Sequence, residues 1–525
     1  MPPAPPAPDV VVEAARRRTF AIISHPDAGK TTLTEKFLLY GGAVQEAGAV
    51  KARRGRRSAT SDWMAMEQER GISITSAALR FEYRATALNL LDTPGHRDFS
   101  EDTYRVLAAA DAAIMVLDTA KGIEPQTRKL FEVCRDRGVP LLSFLNKFDR
   151  PGRAPLELVD EIEDQLGIRV TPVTWPVGEP GDFRGVVDRR DGTFVRFGRS
   201  ARGSTEATEE IVDPSGEGAA WDAAHEELGL LDAVGADHDE KSFLAGESTP
   251  LFVGSAITNF GVRKLLDAVV DLAPGPSPRA DADGDLRALD APFSAFVFKV
   301  QANMDPAHRD RLAFIRVCSG RFERGMTAVH GRTGKPFATK YASSVFGSDR
   351  ETVDEAYPGD VVGLVNATEL RIGDSLYVDE PVAFPAIPTF APEEFVVARP
   401  VDTGRFKQFR KGLAQLDEEG VIQVLRDPEL GDTAPVLAAV GRMQFEVFAF
   451  RLDTEFGAAV ELSPTAYRVA RRTDEASAAV LRRTTGVRVM SRADGTLLAL
   501  FESPYWLDRL QAENPGLTLE RIVAD

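Results

Sequence analysis

Short apolar runs alternate with helical patterns through the first half of the chain. The runs are five or six residues long, as expected of buried strands, and they occupy residues 19–24, 87–92, 113–118, 141–146 and 251–255. Helical patterns lie at residues 31–40, 98–109, 124–137 and 154–166. Strands that alternate with helices form a mostly parallel sheet covered on both faces. The pattern therefore predicts an α/β domain.

In the second half of the chain the apolar runs that predict strands are short and closely spaced. Residues 293–378 hold short strand-like runs separated by turn signals, which predict a β-barrel. Beyond them the pattern reads strand, helix, two strands, helix and strand, at residues 395–401, 405–419, 421–425, 435–440, 443–455 and 458–462. This βαββαβ order predicts a ferredoxin-like unit.

These patterns predict three folded domains after a Pro/Ala-rich tail. The tail is residues 1–16, and the domains are an α/β domain at 17–280, a β-barrel at 285–385 and an α+β domain at 390–525. About a hundred residues separate the last two strands of the first domain, more than one crossover needs. We therefore expect an inserted subdomain at about residues 170–248.

Composition and charge narrow the class of protein. With 43% hydrophobic and 27% charged residues in 525, the chain is neither disordered nor fibrous. No run approaches the ~18 uncharged apolar residues of a membrane span, and the N-terminus lacks a secretory pattern, so we expect a cytoplasmic protein without a membrane partner. Cys134 and Cys318 lack the spacing of a metal site and are expected in the core.

The formal net charge of −17 argues against a protein that binds DNA or RNA through its overall field. Residues 206–240 contain twelve acidic residues and no Lys or Arg, however, so most of the excess is local. The net charge therefore does not exclude RNA contacts at other surfaces of the protein.

A phosphate-binding loop is predicted where the first strand meets the first helix. Its residues are Ser24, His25, Pro26, Asp27, Ala28, Gly29, Lys30 and Thr31, followed by Thr32. In such a loop the backbone N–H groups face phosphates, Lys30 binds the β and γ groups, and the Thr31 hydroxyl binds Mg²⁺. Because Ser24 replaces the usual first glycine, a chance turn is the alternative.

A second polar segment follows the strand at 87–92 and consists of Asp92, Thr93, Pro94, Gly95 and His96. A carboxylate at this strand end can hold Mg²⁺ through water, and the Gly95 N–H can contact a γ-phosphate. An ordinary Asp-x-Pro-Gly turn is the alternative.

A third segment suits recognition of guanine. It is Asn146, Lys147, Phe148 and Asp149, and it ends a later strand. The Asp149 carboxylate can accept from guanine N1–H and the 2-amino group, a donor pair that adenine lacks. Lys147 would lie along the base, Asn146 would brace the loops, and the backbone at Ser255 and Ala256 would donate to guanine O6. Together the motifs predict a P-loop GTPase that binds GTP and GDP.

With these motifs the chain resembles the translational GTPases, and residues 62–64 and 68–75 resemble the first switch of the elongation factor G-like group. There Ser73 occupies the position of the second Mg²⁺-binding hydroxyl, usually a threonine. Residues 24–27, 72–75 and 99–105 together look like the class II release factors, which recycle the stop-codon-reading release factors. The likeness runs from about residue 17 to the C-terminus and includes residues 304–311 and 316–320 of the barrel.

The resemblance implies functions for particular residues and partners. His96 would position the attacking water, with Lys30 and Gly95 as the other catalytic groups, and Thr31, Ser73 and Asp92 would hold Mg²⁺. The partners implied are the ribosome, through rRNA and ribosomal proteins, and the stop-codon-reading release factors on it, with the protein acting as a monomer. The alternatives are a translocase-like or rescue GTPase and a guanine-nucleotide-sensing regulator that hydrolyses little.

Two groups of arginines are candidate RNA contacts, with an ordinary solvated surface as the alternative for each. One precedes the first switch and is Arg53, Arg54, Arg56 and Arg57. The other, the C-terminal arginine cluster, is Arg468, Arg471, Arg472, Arg482, Arg483, Arg488 and Arg492.

Overall fold

The structure of the chain is a computed structural model. It describes residues 9–43, 77–198, 206–302, 311–346, 349–387, 390–427 and 431–522. Ser73, the first-switch segments and the four arginines before them lie outside the described residues.

The first domain is built on a seven-stranded sheet. Its strands are β1 (Arg17–Ser24), β2 (Ala77–Tyr83), β3 (Thr86–Asp92), β4 (Ala112–Asp118), β5 (Leu141–Asn146), β6 (Arg169–Pro172) and β11 (Ser248–Val253). They lie in the order β2-β3-β1-β4-β5-β11-β6. All neighbours are parallel except β2 and β3. Strands β3, β4, β5 and β11 are buried along their whole length, which explains their continuous apolar runs.

Helices cover both faces of this sheet. They are α1 (Val10–Ala15), α2 (Lys30–Tyr40), α3 (Ser100–Leu107), α4 (Pro125–Asp136), α5 (Pro155–Leu166) and α8 (Val262–Asp271), with α6 and α7 in the insertion described next. Proline opens both α4 and α5, where its missing N–H costs nothing. The α/β prediction is confirmed. The helix expected from residue 98 begins as a 3₁₀ turn at Arg97–Phe99 and becomes α-helical at Ser100.

An antiparallel subdomain is inserted between β6 and β11. It consists of β7 (Thr174–Val177), β8 (Gly185–Asp188), β9 (Thr193–Gly198), β10 (Thr208–Ile211), α6 (Ala219–Ala233) and α7 (Glu240–Leu244). The four strands form one sheet in the order β10-β9-β8-β7. Helix α6 lies within the acidic segment and packs on the sheet, where Trp175 Nε1 donates to Glu227 Oε2 at 2.8 Å.

The middle domain is antiparallel β structure, as predicted. After the short pair β12 (Arg279–Ala280) and β13 (Leu286–Arg287), its strands are β14 (Ser294–Ala302), β15 (Arg311–Ser319), β16 (Phe322–Glu323), β17 (Thr327–His330), β18 (Lys335–Ala338), β19 (Ala342–Phe346), β20 (Asp349–Thr352), β21 (Glu355–Ala356), β22 (Val361–Val365) and β23 (Ser375–Tyr377). Eight of them form one sheet in the order β18-β17-β23-β14-β15-β22-β19-β20.

The last domain contains the ferredoxin-like unit. Its elements are β24 (Glu394–Pro400), α9 (Phe406–Glu418), β25 (Gln423–Asp427), β26 (Gly431–Ala439), α10 (Arg442–Phe456) and β27 (Val460–Pro464). The sheet order β27-β24-β26-β25 confirms the predicted arrangement, and three later strands extend it beyond β25 in the order β29-β30-β28. These later elements are β28 (Val469–Thr473), α11 (Glu475–Leu481), β29 (Val487–Ser491), β30 (Leu497–Phe501) and α12 (Pro504–Glu513).

Buried polar contacts join the first domain to the barrel. Arg17 Nε donates to Asp360 Oδ2 at 2.8 Å, and both side chains are nearly inaccessible to solvent. Beside them the Thr19 hydroxyl donates to the Gly359 carbonyl at 2.6 Å. These contacts fix strand β1, which ends at the phosphate loop, against the second domain.

Both cysteines are free and buried, as predicted. Burial raises the pKa of Cys134 to about 12 and that of Cys318 to about 11. None of the helices in the described part of the chain is long and apolar enough to cross a bilayer.

Candidate functional site

The phosphate loop joins β1 to α2 through a left-handed turn. Strand β1 ends at Ser24, and α2 begins at Lys30. Gly29 has φ +102°, and a Cβ at this position would lie 2.3 Å from Asn146 Nδ2. Glycine is therefore required at Gly29 for both its backbone conformation and its close neighbour. Thr31 and Thr32 are half-buried in the first turn of α2.

Asn146 connects two loops at the carboxyl edge of the sheet. Its Nδ2 donates to the Ala28 carbonyl at 2.7 Å, and its Oδ1 accepts from the Ala256 N–H at 2.8 Å. This is the bracing expected from the sequence. The Ser255 N–H donates to the Phe260 carbonyl at 2.9 Å, so a guanine O6 would have to share the Ala256 N–H with Asn146.

Lys147 is held by a carboxylate that sequence reasoning missed. Lys147 Nζ donates to the Asp27 carbonyl at 2.6 Å and to Asp118 Oδ2 at 2.7 Å. Burial by itself would raise the pKa of Asp118, but the hydrogen bonds from Lys147 and the Ala120 N–H outweigh burial and lower it. Asp118 is the last residue of β4, as Asn146 is the last residue of β5. This shared position at a strand end is the feature of the sequence that could have identified Asp118 as a site residue.

Asp149 is placed to accept hydrogen bonds from a ligand. Its Oδ1 is buried and has no hydrogen-bond partner among the residues that the structure describes, a costly state unless a donor arrives. The neighbouring Phe148 has no exposed surface, packs against Phe183 with ring centroids 4.9 Å apart, and donates its N–H to Gly254. Phe148, grouped by the sequence with the nucleotide-binding residues, thus anchors the loop from the core.

The segment after β3 lies beside the phosphate loop. Asp92 is 2% exposed, and the Thr93 hydroxyl donates to the Ile22 carbonyl of β1 at 2.6 Å. A Cβ at Gly95 would lie 3.1 Å from Lys30 Nζ and 3.5 Å from Pro26 Cα. The structure thus brings Lys30 and Gly95 together, as a γ-phosphate site requires.

The donors at this position fit Mg²⁺. The Asp92 carboxylate and the Thr31 hydroxyl offer hard oxygen ligands at the end of the phosphate loop. No group of three or more His, Cys, Asp or Glu that could hold a metal occurs in the part of the chain that the structure describes. Mg²⁺ commonly takes only one or two protein ligands and completes its shell with phosphate and water, so the donor set is suitable.

His96 follows Gly95 and is oriented by Asp98. The Asp98 N–H donates to His96 Nδ1 at 3.2 Å, while Asp98 Oδ1 lies 3.4 Å from the same atom. A neutral imidazole that accepts at Nδ1 carries its proton on Nε2. The ring is 29% exposed, so Nε2–H can donate to a water or a ligand.

His25 lies inside the phosphate loop and is buried. Its Nδ1 lies 2.5 Å from Glu124 Oε2. Burial lowers the pKa of His25 and outweighs the attraction of Glu124. Burial therefore favours the neutral form of the His25 imidazole.

The segment after His96 also contacts the last domain. Asp98 Oδ2 accepts from the Met443 N–H at 2.9 Å, in the first turn of α10. A Cβ at Gly441 would lie 2.0 Å from Asp98 Cγ, so only glycine fits there. Nearby, Arg105 pairs with Glu101 and donates to the Gly420 carbonyl at 3.4 Å. Nothing in the sequence indicated this contact, because its partners are more than 300 residues apart.

Removing the contact should destabilise the protein. Asp98→Ala deletes an acceptor at a helix N-terminus, which typically costs about 1 kcal/mol, and Gly441→Ala forces Asp98 away. Each variant should therefore lower the midpoint of thermal unfolding, measured by calorimetry. Gly516→Ala is the control, since a Cβ there meets nothing within 4 Å. Midpoints equal to that of the control would contradict the contact.

The C-terminal arginine cluster does not form one uniform surface. Its exposed members are Arg468, Arg472, Arg482 and Arg483. Arg488 instead pairs with Asp427, and Arg492 Nη2 donates to Gln423 Oε1 at 2.5 Å. These last two are tied to β25, which the sequence could not show.

Three family models match the chain. The model described as Elongation factor Tu GTP binding domain matches residues 15–275, and Elongation factor G domain 2 matches residues 292–379. The model described as Class II release factor RF3, C-terminal domain, matches residues 384–511.

Full-length relatives agree with these models. Peptide chain release factor 3 of Gloeobacter violaceus is 49% identical over 528 residues, which cover 98% of this chain and 99% of the relative. The protein of the same name from Trichormus variabilis is 50% identical over 516 residues, 96% of this chain and 95% of the relative. The crystal structure of ttk003000868 from Thermus thermophilus shares the fold, with a TM-score of 0.71 and 24% identity over 92% of this chain and 72% of that chain.

Proposed function

The chain belongs to the peptide chain release factor 3 family, and from that membership we propose that it recycles the stop-codon-reading release factors in a ribosome-stimulated GTPase cycle. It is a GTPase that acts in translation termination. The observation that carries the proposal is the joint placement of Lys30, Gly95, Asn146 and Asp149 at one sheet edge, in a chain whose last domain matches the class II release factors.

In the proposed cycle, GTP binds across the carboxyl ends of β1, β3 and β5. Lys30 binds the β and γ phosphates, and Asp149 accepts from the guanine edge. Thr31, Asp92 and Ser73 would hold Mg²⁺, which would neutralise charge on the phosphates. Gly95 then responds to the γ-phosphate, as the switch segments of GTPases do.

His96 positions the attacking water in this proposal. Its Nδ1 accepts from the Asp98 N–H, which leaves Nε2 available for the water in this proposal. Orientation and charge stabilisation supply most of the acceleration in phosphoryl transfer, so His96 need not remove a proton.

Asp98 would carry the nucleotide state to the last domain. The residue lies two positions after His96 and contacts the N-terminus of α10. A shift of this segment on hydrolysis would therefore move α10 and the sheet on which it packs. In this way the loss of the γ-phosphate would change the surface that the last domain presents.

The proposed partners are the ribosome, through rRNA and ribosomal proteins, and the stop-codon-reading release factors bound to it. The protein would act as a cytoplasmic monomer. Of the C-terminal arginine cluster, only the exposed members Arg468, Arg472, Arg482 and Arg483 are proposed for ribosome contact.

Reversing two of those charges should weaken ribosome binding. Arg482→Glu with Arg483→Glu removes counterion release, so ribosome affinity should fall and its dependence on salt should flatten. Affinity is measured by sedimentation at several salt concentrations. The control is Lys129→Glu with Lys241→Glu, which gives the same charge change at exposed positions of the first domain. If both double variants bind ribosomes with the same affinity and the same salt dependence, the C-terminal arginine cluster is an ordinary solvated surface.

Phosphate release with and without ribosomes tests the proposed cycle. We expect slow release from the protein alone, because the nucleotide-binding segments 24–32, 92–96 and 146–149 contain no arginine that could act as a finger. Termination ribosomes should accelerate release. A rate that ribosomes leave unchanged would favour a nucleotide-sensing regulator.

A further inference from the structure

A polar cavity lies where the first domain, the linker after it and the barrel meet. Its volume is about 320 Å³, within the size range of small-molecule sites. Its walls come from the C-terminal ends of α3 and α4, the linker at residues 276–280, and β15. None of the predicted nucleotide-binding residues lines it, so the cavity is separate from the GTP site.

Positive charge dominates this cavity. Three arginines, Arg137, Arg279 and Arg316, share its wall with one carboxylate, Asp111. Arg316 Nη2 pairs with Asp111 Oδ2 at 2.6 Å, so that carboxylate is already engaged. The residues that line the cavity therefore carry a net formal charge of +2.

Arg279 contacts a backbone carbonyl and an aromatic ring at the wall of the cavity. Its Nη1 donates to the Ala108 carbonyl at 2.7 Å, and its guanidinium lies 4.9 Å from the Phe296 ring centroid. Burial lowers the pKa of Arg279, and the charges of Arg316 and Arg137 act in the same direction, whereas Cys318 and Asp111 oppose them. An arginine nevertheless stays protonated in proteins, so these guanidinium groups repel one another across the cavity.

Of the three cavity arginines, Arg137 is the one whose hydrogen-bonding capacity is least satisfied. Its guanidinium lies 4.0 Å from the Tyr104 ring centroid, a contact that holds the side chain in place. Its Nε is buried and has no hydrogen-bond partner among the described residues. A buried charged donor without an acceptor is costly, and an anion in the cavity would supply that acceptor.

We propose that this cavity binds a small phosphorylated anion through Arg137 and Arg279. Guanidinium groups match phosphate oxygens in paired hydrogen bonds, and a dianionic phosphate group balances the two surplus charges. The cavity is also large enough for more than one phosphate. Because its walls come from two domains and their linker, the bound anion joins the first domain to the barrel.

Calorimetric titration of inorganic pyrophosphate into the full-length protein tests this site. Excess GDP and Mg²⁺ keep the phosphate loop filled, so that pyrophosphate cannot bind there. Wild type should bind, and Arg137→Gln should bind at least tenfold more weakly. Asp111→Asn should bind severalfold more tightly, because it adds net positive charge; simple structural damage would not strengthen binding.

Arg135→Gln is the matched control, since Arg135 is exposed, lies two residues earlier in α4 and does not line the cavity. If Arg137→Gln does not fold, Arg279→Lys replaces it, keeping the charge and losing the guanidinium fork. Tighter binding of adenosine monophosphate than of pyrophosphate would identify a nucleotide-sized occupant, and the reverse would identify a free oligophosphate. No binding to wild type at millimolar concentration, or equal affinities in wild type, Arg137→Gln and Asp111→Asn, would overturn the proposal.

Discussion

Replacing His96 with alanine should leave GTP binding near the wild-type level and slow ribosome-stimulated hydrolysis by roughly 100-fold or more, about 3 kcal/mol of barrier. The residue stands directly after Gly95, which lies beside the Lys30 ammonium. Its Nδ1 accepts from the Asp98 N–H, and its side chain is 29% exposed. Alanine removes the group that we propose positions the water and leaves the proposed phosphate contacts in place, so turnover should fall while affinity holds.

Rapid-mixing measurement of phosphate release on termination ribosomes gives the rate, and a fluorescent GTP analogue gives the affinity. His225→Ala is the matched control, because His225 is an exposed histidine of the inserted subdomain. Near-normal turnover of His96→Ala would remove His96 from the mechanism. Loss of GTP binding in His96→Ala would show a structural role instead.

Replacing Asp149 with asparagine should change the base preference of the protein. Asp149 Oδ1 is a buried acceptor without a partner in the described part of the chain, and guanine N1–H with its 2-amino group would supply the missing donors. Losing two hydrogen bonds to a charged group costs about 3 kcal/mol or more, so GTP affinity should fall roughly 100-fold. Xanthosine triphosphate should gain affinity, since the asparagine amide can donate to the C2 carbonyl.

Competition between GTP and xanthosine triphosphate for the variant and the wild type gives this preference directly. Asp160→Asn is the control, as Asp160 is an exposed carboxylate on α5. Unchanged GTP binding in Asp149→Asn would exclude this loop from base recognition. Equal losses for GTP and xanthosine triphosphate would point to damage of the loop.

The sequence predicted the first domain well because its chemistry is local. Strand β5 was expected at residues 141–146 and is observed at Leu141–Asn146, since a strand buried on both faces appears as one unbroken apolar run. Asn146 could be assigned its bracing contact because parallel strands place their carboxyl ends at one edge. Asp118 also lies at the carboxyl end of a parallel strand, but it was missed because no recognisable motif adjoins it.

Contacts between domains could not be predicted in this way. Asp98 meets α10, and Arg105 meets the Gly420 carbonyl, although each pair is more than 300 residues apart. Charge patterns were misleading for the same reason. The sequence placed Arg492 in a basic cluster, but in the structure its guanidinium donates a hydrogen bond to the side chain of Gln423. Periodicity specifies which face of an element is apolar, but it does not specify which other element covers that face.

We propose that this GTPase uses GTP to remove the stop-codon-reading release factor from the ribosome. This function is tested by the dissociation rate of a labelled release factor from termination complexes, in the presence of the protein with GTP, GDP or a non-hydrolysable GTP analogue. We expect faster dissociation with GTP than with GDP, and prolonged binding of the protein itself with the analogue. Dissociation at the same rate with and without the protein, whatever the nucleotide, would exclude the proposed function.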